Sequence, residues 1–128
     1  MAEFGFPKTS RLLNAADYKA VFSNAQFKVS CRHFLVLANC NSRSSARLGL
    51  VIAKKNVALA VQRNRIKRQL RSTFRHNREL LDKLDLVVLA RKDAHTLDNK
   101  ELKETIDSLW QDLHGKMKRA AAESQGDR

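Results

Sequence analysis

Residues 47–78 read RLGLVIAKKNVALAVQRNRIKRQLRSTFRHNR, and this stretch decides the fold. It begins as a strand. Leu48, Leu50, Val51 and Ile52 are apolar and mostly bulky, and Gly49 permits close approach of another backbone. Lys54-Lys55-Asn56 interrupts the apolar run. From Leu59 the period becomes helical: Leu59, Ile66, Leu70 and Phe74 fall within about one third of a helix circumference. Asn64, Arg65, Arg68, Arg71 and Arg75 fall on the other side. Arg63 lies nearer the apolar stripe, where its methylene stem can cover the core edge.

The counter-charge is missing from this helix. Residues 54–78 hold nine Lys or Arg and no Asp or Glu. Arg68, Arg71, Arg75 and Arg78 are spaced three and four apart, so like charges face one another. Each such pair costs an isolated helix about 0.2–0.5 kcal/mol. A helix selected for stability alone interleaves Glu with Arg, as a solvated charged face ordinarily does. The pattern therefore reads as a polyanion-binding surface.

Charge across the whole chain agrees. The net charge is +12 with a pI near 10.3. All of it comes from the middle: residues 18–78 carry fourteen Lys or Arg and no acid, while the remainder holds eleven basic and thirteen acidic residues. Such a balance points to a polyanionic partner. The 128 residues suit one domain, and a hydrophobic fraction of 43% is enough for a core. The N-terminus, MAEFGFPKTSR, lacks the apolar run of a secretory signal, and no segment approaches the ~20 apolar residues needed to span a bilayer. Cys31 and Cys40 lack CxxC spacing and read as free thiols in a reducing cytoplasm.

The other elements follow from their own patterns. Residues 1–13 read as an extended arm, with Pro7 against helix. Asn14 reads as the N-cap of a helix to about Ser23, with Asp17 near its positive end. Tyr18, Val21 and Phe22 share a face of that helix, which on periodicity alone is core. Phe27–Val29 and His33–Asn39 read as strands, the second central because both faces are partly apolar. The short spacings up to the strand at 47–53 suggest antiparallel hairpins. Asp85–Ala90, DLVVLA, reads as a buried strand. Asp98 with Glu101 three residues on forms a capped helix start. Leu102, Ile106, Leu109, Trp110, Leu113 and Met117 then keep helical spacing. That helix mixes Glu101, Glu104 and Asp107 with Lys100 and Lys103, so the chain balances charge where no partner is needed. From Lys118 the apolar face ends. Residues 1–117 thus read as one domain, which the resemblance given below makes an RNA-binding one, and 118–128 as a basic, disordered tail. The class is α+β, in the order α-β-β-β-α-β-α, with a small mixed sheet packed by helices.

No catalytic constellation is visible. His33, His76, His95 and His114 are scattered, without metal-ligand spacing, and there is no Gly-rich phosphate loop. The basic half offers no carboxylate as general base or metal ligand, and the pairs Asp82/Asp85 and Glu101/Glu104 read as surface. The inventory is that of a binding protein. A ribosomal or other structured-RNA-binding protein without a catalytic partner is one alternative. A DNA-binding protein that places helix 59–78 in a major groove is another, although Ile66, Leu70 and Phe74 must also pack against a domain.

Arg63-Asn64-Arg65, extended as RNRIKRQLR and preceded by RLGLVIAKK, resembles the signature of the protein subunit of bacterial ribonuclease P. FPK followed by RLL, DYKAVF at 17–22 and the Ala90-Arg91-Lys92 segment extend the resemblance over roughly residues 6–117. The resemblance implies a fold like the second domain of a small-subunit ribosomal protein, with the central helix in a left-handed crossover. It implies that a large RNA with bound Mg²⁺ removes the 5′ leader from precursor tRNA, while the protein aids substrate recognition, metal affinity and folding of that RNA. It implies no catalytic residue in the protein and Mg²⁺ bound mainly by the RNA component, assigns no metal to protein residues, and calls for no membrane or protein partner. Arg63, Asn64, Arg65, Lys67, Arg68 and Arg71 would contact the catalytic RNA. Tyr18, Phe22, Lys54 and Lys55 would hold the single-stranded leader, with the two aromatics stacking on bases. Leu37 stands where the family's second strand can carry an aromatic.

Overall fold

The computed structural model describes residues 15–41, 46–81 and 83–126. The elements are α1 (Ala15–Asn24), β1 (Phe27–Ser30), β2 (Phe34–Cys40), β3 (Arg47–Val51), α2 (Ala60–His76), β4 (Leu84–Ala90), a 3-10 turn (Ala94–Thr96) and α3 (Asn99–Gly126). This is the expected α+β order. The N-terminal arm, the FPK and RLL segments, the Asn14 cap and Asp82 lie outside the described residues.

The four strands are ordered β1-β2-β4-β3. β1 pairs antiparallel with β2, β2 antiparallel with β4, and β3 parallel with β4. The expected hairpin between β2 and β3 is not formed, because β4 inserts between them. The reason is burial. DLVVLA is apolar on both faces and takes an interior place, whereas β3 can occupy the edge with α2 returning its chain to β4.

Alternation assigns the two faces. Phe34, Val36 and Ala38 of β2, Leu84, Leu86 and Val88 of β4 and Leu48 of β3 are buried against Ile66, Leu70 and Phe74 of α2 and Leu102, Ile106, Trp110 and Leu113 of α3. Burying each Val, Leu, Ile or Phe side chain among these is worth about 1.5–3 kcal/mol. Trp110 meets Phe74 edge-on with ring centroids 6.2 Å apart, and its indole N–H donates to Thr73 Oγ1 at 3.2 Å. The polar tip of the largest core residue is thereby satisfied.

Among the described residues the opposite face carries only α1. Val21 is buried there against Val87, with Tyr18, Leu37, Val51 and Leu89 partly buried around them. A helix about 10 Å wide covers roughly two strands spaced about 4.8 Å apart. Among the described residues, the ten of α1 therefore cover only part of the four-stranded floor.

The capping box of α3 forms as its spacing implies: Glu101 N–H donates to Asp98 Oδ1 at 2.8 Å, and Asp98 N–H donates to Glu101 Oε1 at 2.9 Å. The tail from Lys118, expected to lack regular structure, is helical to Gly126. Ala120-Ala121-Ala122 favours helix, and extending an existing helix needs no new nucleus.

Candidate nucleic-acid interface

The basic helix α2 divides its cations into two groups. Asn64, Arg68 and Arg75 are exposed on its outer side, flanked by the half-buried Lys67 and Arg71. Spacings of three and four residues align them over about three turns. Leu59 and Val61, 63% and 69% exposed, add an apolar beginning to this surface. No acid lies in the first turn of α2, and Leu59 makes no side-chain cap. The positive end of the helix dipole thus meets no carboxylate from its own first turn.

Arg63 and Arg65 are committed to the protein itself. Arg63 Nη1 donates to the carbonyls of Val57 at 3.0 Å and Ala58 at 2.7 Å, tying the turn before α2 to the helix. Arg65 donates to Gln62 Oε1 at 2.9 Å, Asn99 Oδ1 at 2.9 Å and the His95 carbonyl at 3.0 Å. Periodicity puts Arg65 off the apolar stripe, but its long side chain reaches the segment that opens α3. A helical wheel carries no information about that neighbour.

The second surface is the open part of the α1 face. Asp17 at the start of α1 meets Arg47 at 3.5 Å, and Arg47 sits opposite Asp85 in the β3–β4 register. The chain leaving α1 enters β1 at Phe27, opposite Ala38, near the same end of the sheet. α1 is therefore anchored over the Asp85 end. Toward the other end Leu35, Leu37, Val51 and Leu89 remain half-buried. On α1, one turn after Tyr18, Phe22 is 45% exposed. Tyr18 is half-buried, and its hydroxyl accepts the Leu50 N–H at 3.3 Å. The two aromatics thus differ: Phe22 offers an open ring and Tyr18 is fixed against the sheet.

Sheet directions determine what borders the open end. Parallel β3 and β4 finish there, and antiparallel β2 starts there, with Val51 opposite Leu89 and Leu89 opposite Leu35. The connections just beyond carry Arg32, Lys54, Lys55, Arg91 and Lys92, all exposed. Asn56 Nδ2 donates to the Ala90 carbonyl at 3.0 Å, and the Arg91 N–H donates to the His33 carbonyl at 2.8 Å. These bonds hold the three connections together. Arg32, Arg91 and Lys92 are site candidates that sequence reasoning missed; the Arg91-Lys92 pair after a strand was the available signal.

In the sequence Arg47 is no more than the start of a strand. It is 8% exposed and grips Asp85 with two bonds, Nε to Oδ1 at 2.9 Å and Nη2 to Oδ2 at 2.7 Å. The Asp85 hydrogen bond raises its pKa, burial opposes the rise, and the charges of Asp85 and Asp17 add to it. This network positions α1 on the sheet. Among the described residues no group of three His, Cys, Asp or Glu side chains is arranged to hold a metal ion, and the interface itself is built of cations, amides and rings. Among the described residues no helix is long and apolar enough to cross a membrane.

The Ribonuclease P family profile matches residues 6–114, most of the chain and both surfaces. The chain belongs to the ribonuclease P protein family. This family is the protein subunit of an RNA-catalysed endoribonuclease, and the chain is such an RNA-binding subunit. The ribonuclease P protein component of Marinobacter nauticus is 48% identical over 110 residues, covering 86% of this chain and 83% of the relative. That of Pseudomonas aeruginosa is 49% identical over 113 residues, covering 88% and 84%. The ribonuclease P protein of Staphylococcus aureus superposes with a TM-score of 0.74 at 27% identity, covering 81% of this chain and 94% of that one. The Thermotoga maritima ribonuclease P protein gives 0.69 at 28% identity, covering 78% and 97%. The ribonuclease P fold is thus the expected mixed α+β domain.

Proposed function

We propose that the outer face of α2 binds the catalytic RNA of ribonuclease P, and that the open α1 face holds the single-stranded 5′ leader of precursor tRNA. The observation that carries this is the pairing of two unlike surfaces on one small domain. One is an acid-free row of cations suited to phosphates. The other is a half-open apolar floor with an exposed ring, bordered by cations, suited to a strand of unpaired bases. Ribosomal binding to structured RNA alone gives no reason for the second surface.

Asn64, Lys67, Arg68 and Arg71, joined by Arg75, contact RNA phosphates. Arg63 and Arg65 act chiefly by holding the turn and helix that present them. Phe22 stacks on a leader base, Tyr18 forms the wall behind it, and Lys54 and Lys55 neutralise leader phosphates together with Arg91 and Lys92. Residues 1–117 form the RNA-binding unit. Mg²⁺ belongs to the RNA partner, where it supplies the hydrolytic chemistry. The protein's residues bind and orient. A cytoplasmic location accompanies this role.

The test is reconstitution. Purified protein added to a ribonuclease P RNA at low Mg²⁺ should restore cleavage of a precursor tRNA, and Arg68→Ala with Arg75→Ala should raise the protein concentration required. No stimulation by the unaltered protein refutes the reading.

A further inference from the structure

In the sequence Asn56 only closes the Lys54-Lys55-Asn56 interruption. In the fold it completes the sheet. The Arg91 N–H donates to the His33 carbonyl at 2.8 Å, so Arg91 turns its backbone groups toward β2. Successive residues of a paired strand turn theirs to opposite neighbours, which points the Ala90 carbonyl to the side of β3. β3 has ended there, its last pair being Val51 with Leu89. Ala90 is 4% exposed, and a buried carbonyl left unpaired is costly. The Asn56 side chain supplies the donor, with Nδ2 3.0 Å from that carbonyl. An amide side chain thus continues the ladder one step beyond the strand.

This step is where the cations of the open end sit. Asn56 directly follows Lys55, and Ala90 directly precedes Arg91. One hydrogen bond therefore joins the Lys54-Lys55 pair to the Arg91-Lys92 pair, and all four side chains are exposed. Asn56 is itself held: its N–H and that of Val57 both donate to the Ala53 carbonyl at 3.0 Å, and Val57 is fully buried. Beyond Lys92 the chain is fixed again. Ala94 is fully buried, and the His95 carbonyl accepts from Arg65 Nη2 of α2 at 3.0 Å. Asp93 takes a left-handed conformation with φ 69°, and its carbonyl accepts the Thr96 N–H at 3.0 Å and the Thr96 hydroxyl at 2.7 Å. Arg91 and Lys92 form a short bridge between two anchored points, of which Asn56 holds the nearer.

We propose that Asn56 is a positioning residue for leader recognition. Through the Ala90 carbonyl it fixes Arg91 and Lys92 relative to Lys54 and Lys55, so that the two pairs meet neighbouring phosphates of one strand. Groups held in place before binding lose less conformational freedom when the partner arrives. The proposal rests on the reading that these cations bind the leader, and Asn56 acts through them.

The experiment uses the full chain assembled with a ribonuclease P RNA. It measures the ratio of affinity for a precursor tRNA with a long leader to affinity for mature tRNA, well below the Tm of every variant. Arg91→Gln with Lys92→Gln should lower the ratio about 5–10-fold, the range for two exposed ion contacts. Asn56→Ala should lower it about 3–5-fold, within the coupling of hydrogen-bonded neighbours, and leave affinity for mature tRNA within about 2-fold of the parent. Asn56→Ser, whose shorter side chain cannot reach the Ala90 carbonyl, is the milder variant and should behave alike. The deciding variant combines Asn56→Ala with Arg91→Gln and Lys92→Gln. If Asn56 acts through these cations, its ratio stays within about 2-fold of the Arg91/Lys92 variant, whereas an independent structural loss multiplies the two effects. Multiplied effects, an unchanged ratio in both Asn56 variants, or equal weakening of precursor and mature tRNA overturns the proposal while the leader reading stands. If Arg91→Gln with Lys92→Gln leaves the ratio unchanged, the leader reading of these cations falls, and the proposal with it.

Discussion

Replacing Arg47 by Met should destabilise the protein by about 3 kcal/mol. Removing one partner of a buried ion pair costs about 3–5 kcal/mol, because the other charge is left buried and uncompensated. Asp85 keeps one further hydrogen bond, from Asn41 Nδ2 at 2.8 Å, and Asp17 is partly hydrated, which puts the cost at the lower end. For a domain of this size that corresponds to a fall in Tm of about 10 °C. Thermal and urea unfolding at pH 7 measure it. The pKa of Arg47 is raised in the folded protein, so its contribution is present below the ordinary arginine range and is lost only above it. Titration of Arg47 itself therefore adds no slope to stability between pH 6 and 9. Pairing Arg47→Met with Asp85→Leu should recover more than half of the loss, since no uncompensated carboxylate then remains at 85. A single variant within about 0.5 kcal/mol of the parent, or a double variant no better than the single, refutes the network as the anchor of α1.

Arg65→Ala removes three hydrogen bonds to Gln62, His95 and Asn99 and should cost about 1 kcal/mol in urea unfolding. Arg68→Ala should leave stability within about 0.5 kcal/mol and weaken RNA binding instead. Phe22→Ala should lower the ratio of precursor to mature tRNA affinity in the holoenzyme by about 1–3 kcal/mol of lost stacking, with Tm nearly unchanged; an unaltered ratio returns leader recognition to the cations at the open end. If about six side chains neutralise phosphates, RNA affinity should fall about 10³-fold between 50 and 200 mM salt, and a flat response excludes an electrostatic interface.

The order of elements was legible in the sequence because period and capping are local. The Asp98–Glu101 box, the apolar stripe of residues 66, 70 and 74, and the acid-free face of α2 all depend on residues within a few positions of one another. Strand order was not legible. β3 and β4 are separated by a whole helix, and their parallel pairing is decided by which strand has two apolar faces to bury. The same limit governed the site. The sequence identified the cations of α2 but not which were free to meet a partner, since Arg63 and Arg65 are claimed by carbonyls outside the helix. It placed Tyr18 and Phe22 on one face, and the short span of α1 over a wider sheet decided that one ring is open and the other fixed. By sequence Arg47 is only a strand residue, Asp85 a surface carboxylate and Asp17 a partner of the helix dipole, and the three are distant from one another. Only the register of β3 on β4, with α1 laid across its end, brings them into one network, because buried charges acquire partners through the fold and not through the chain.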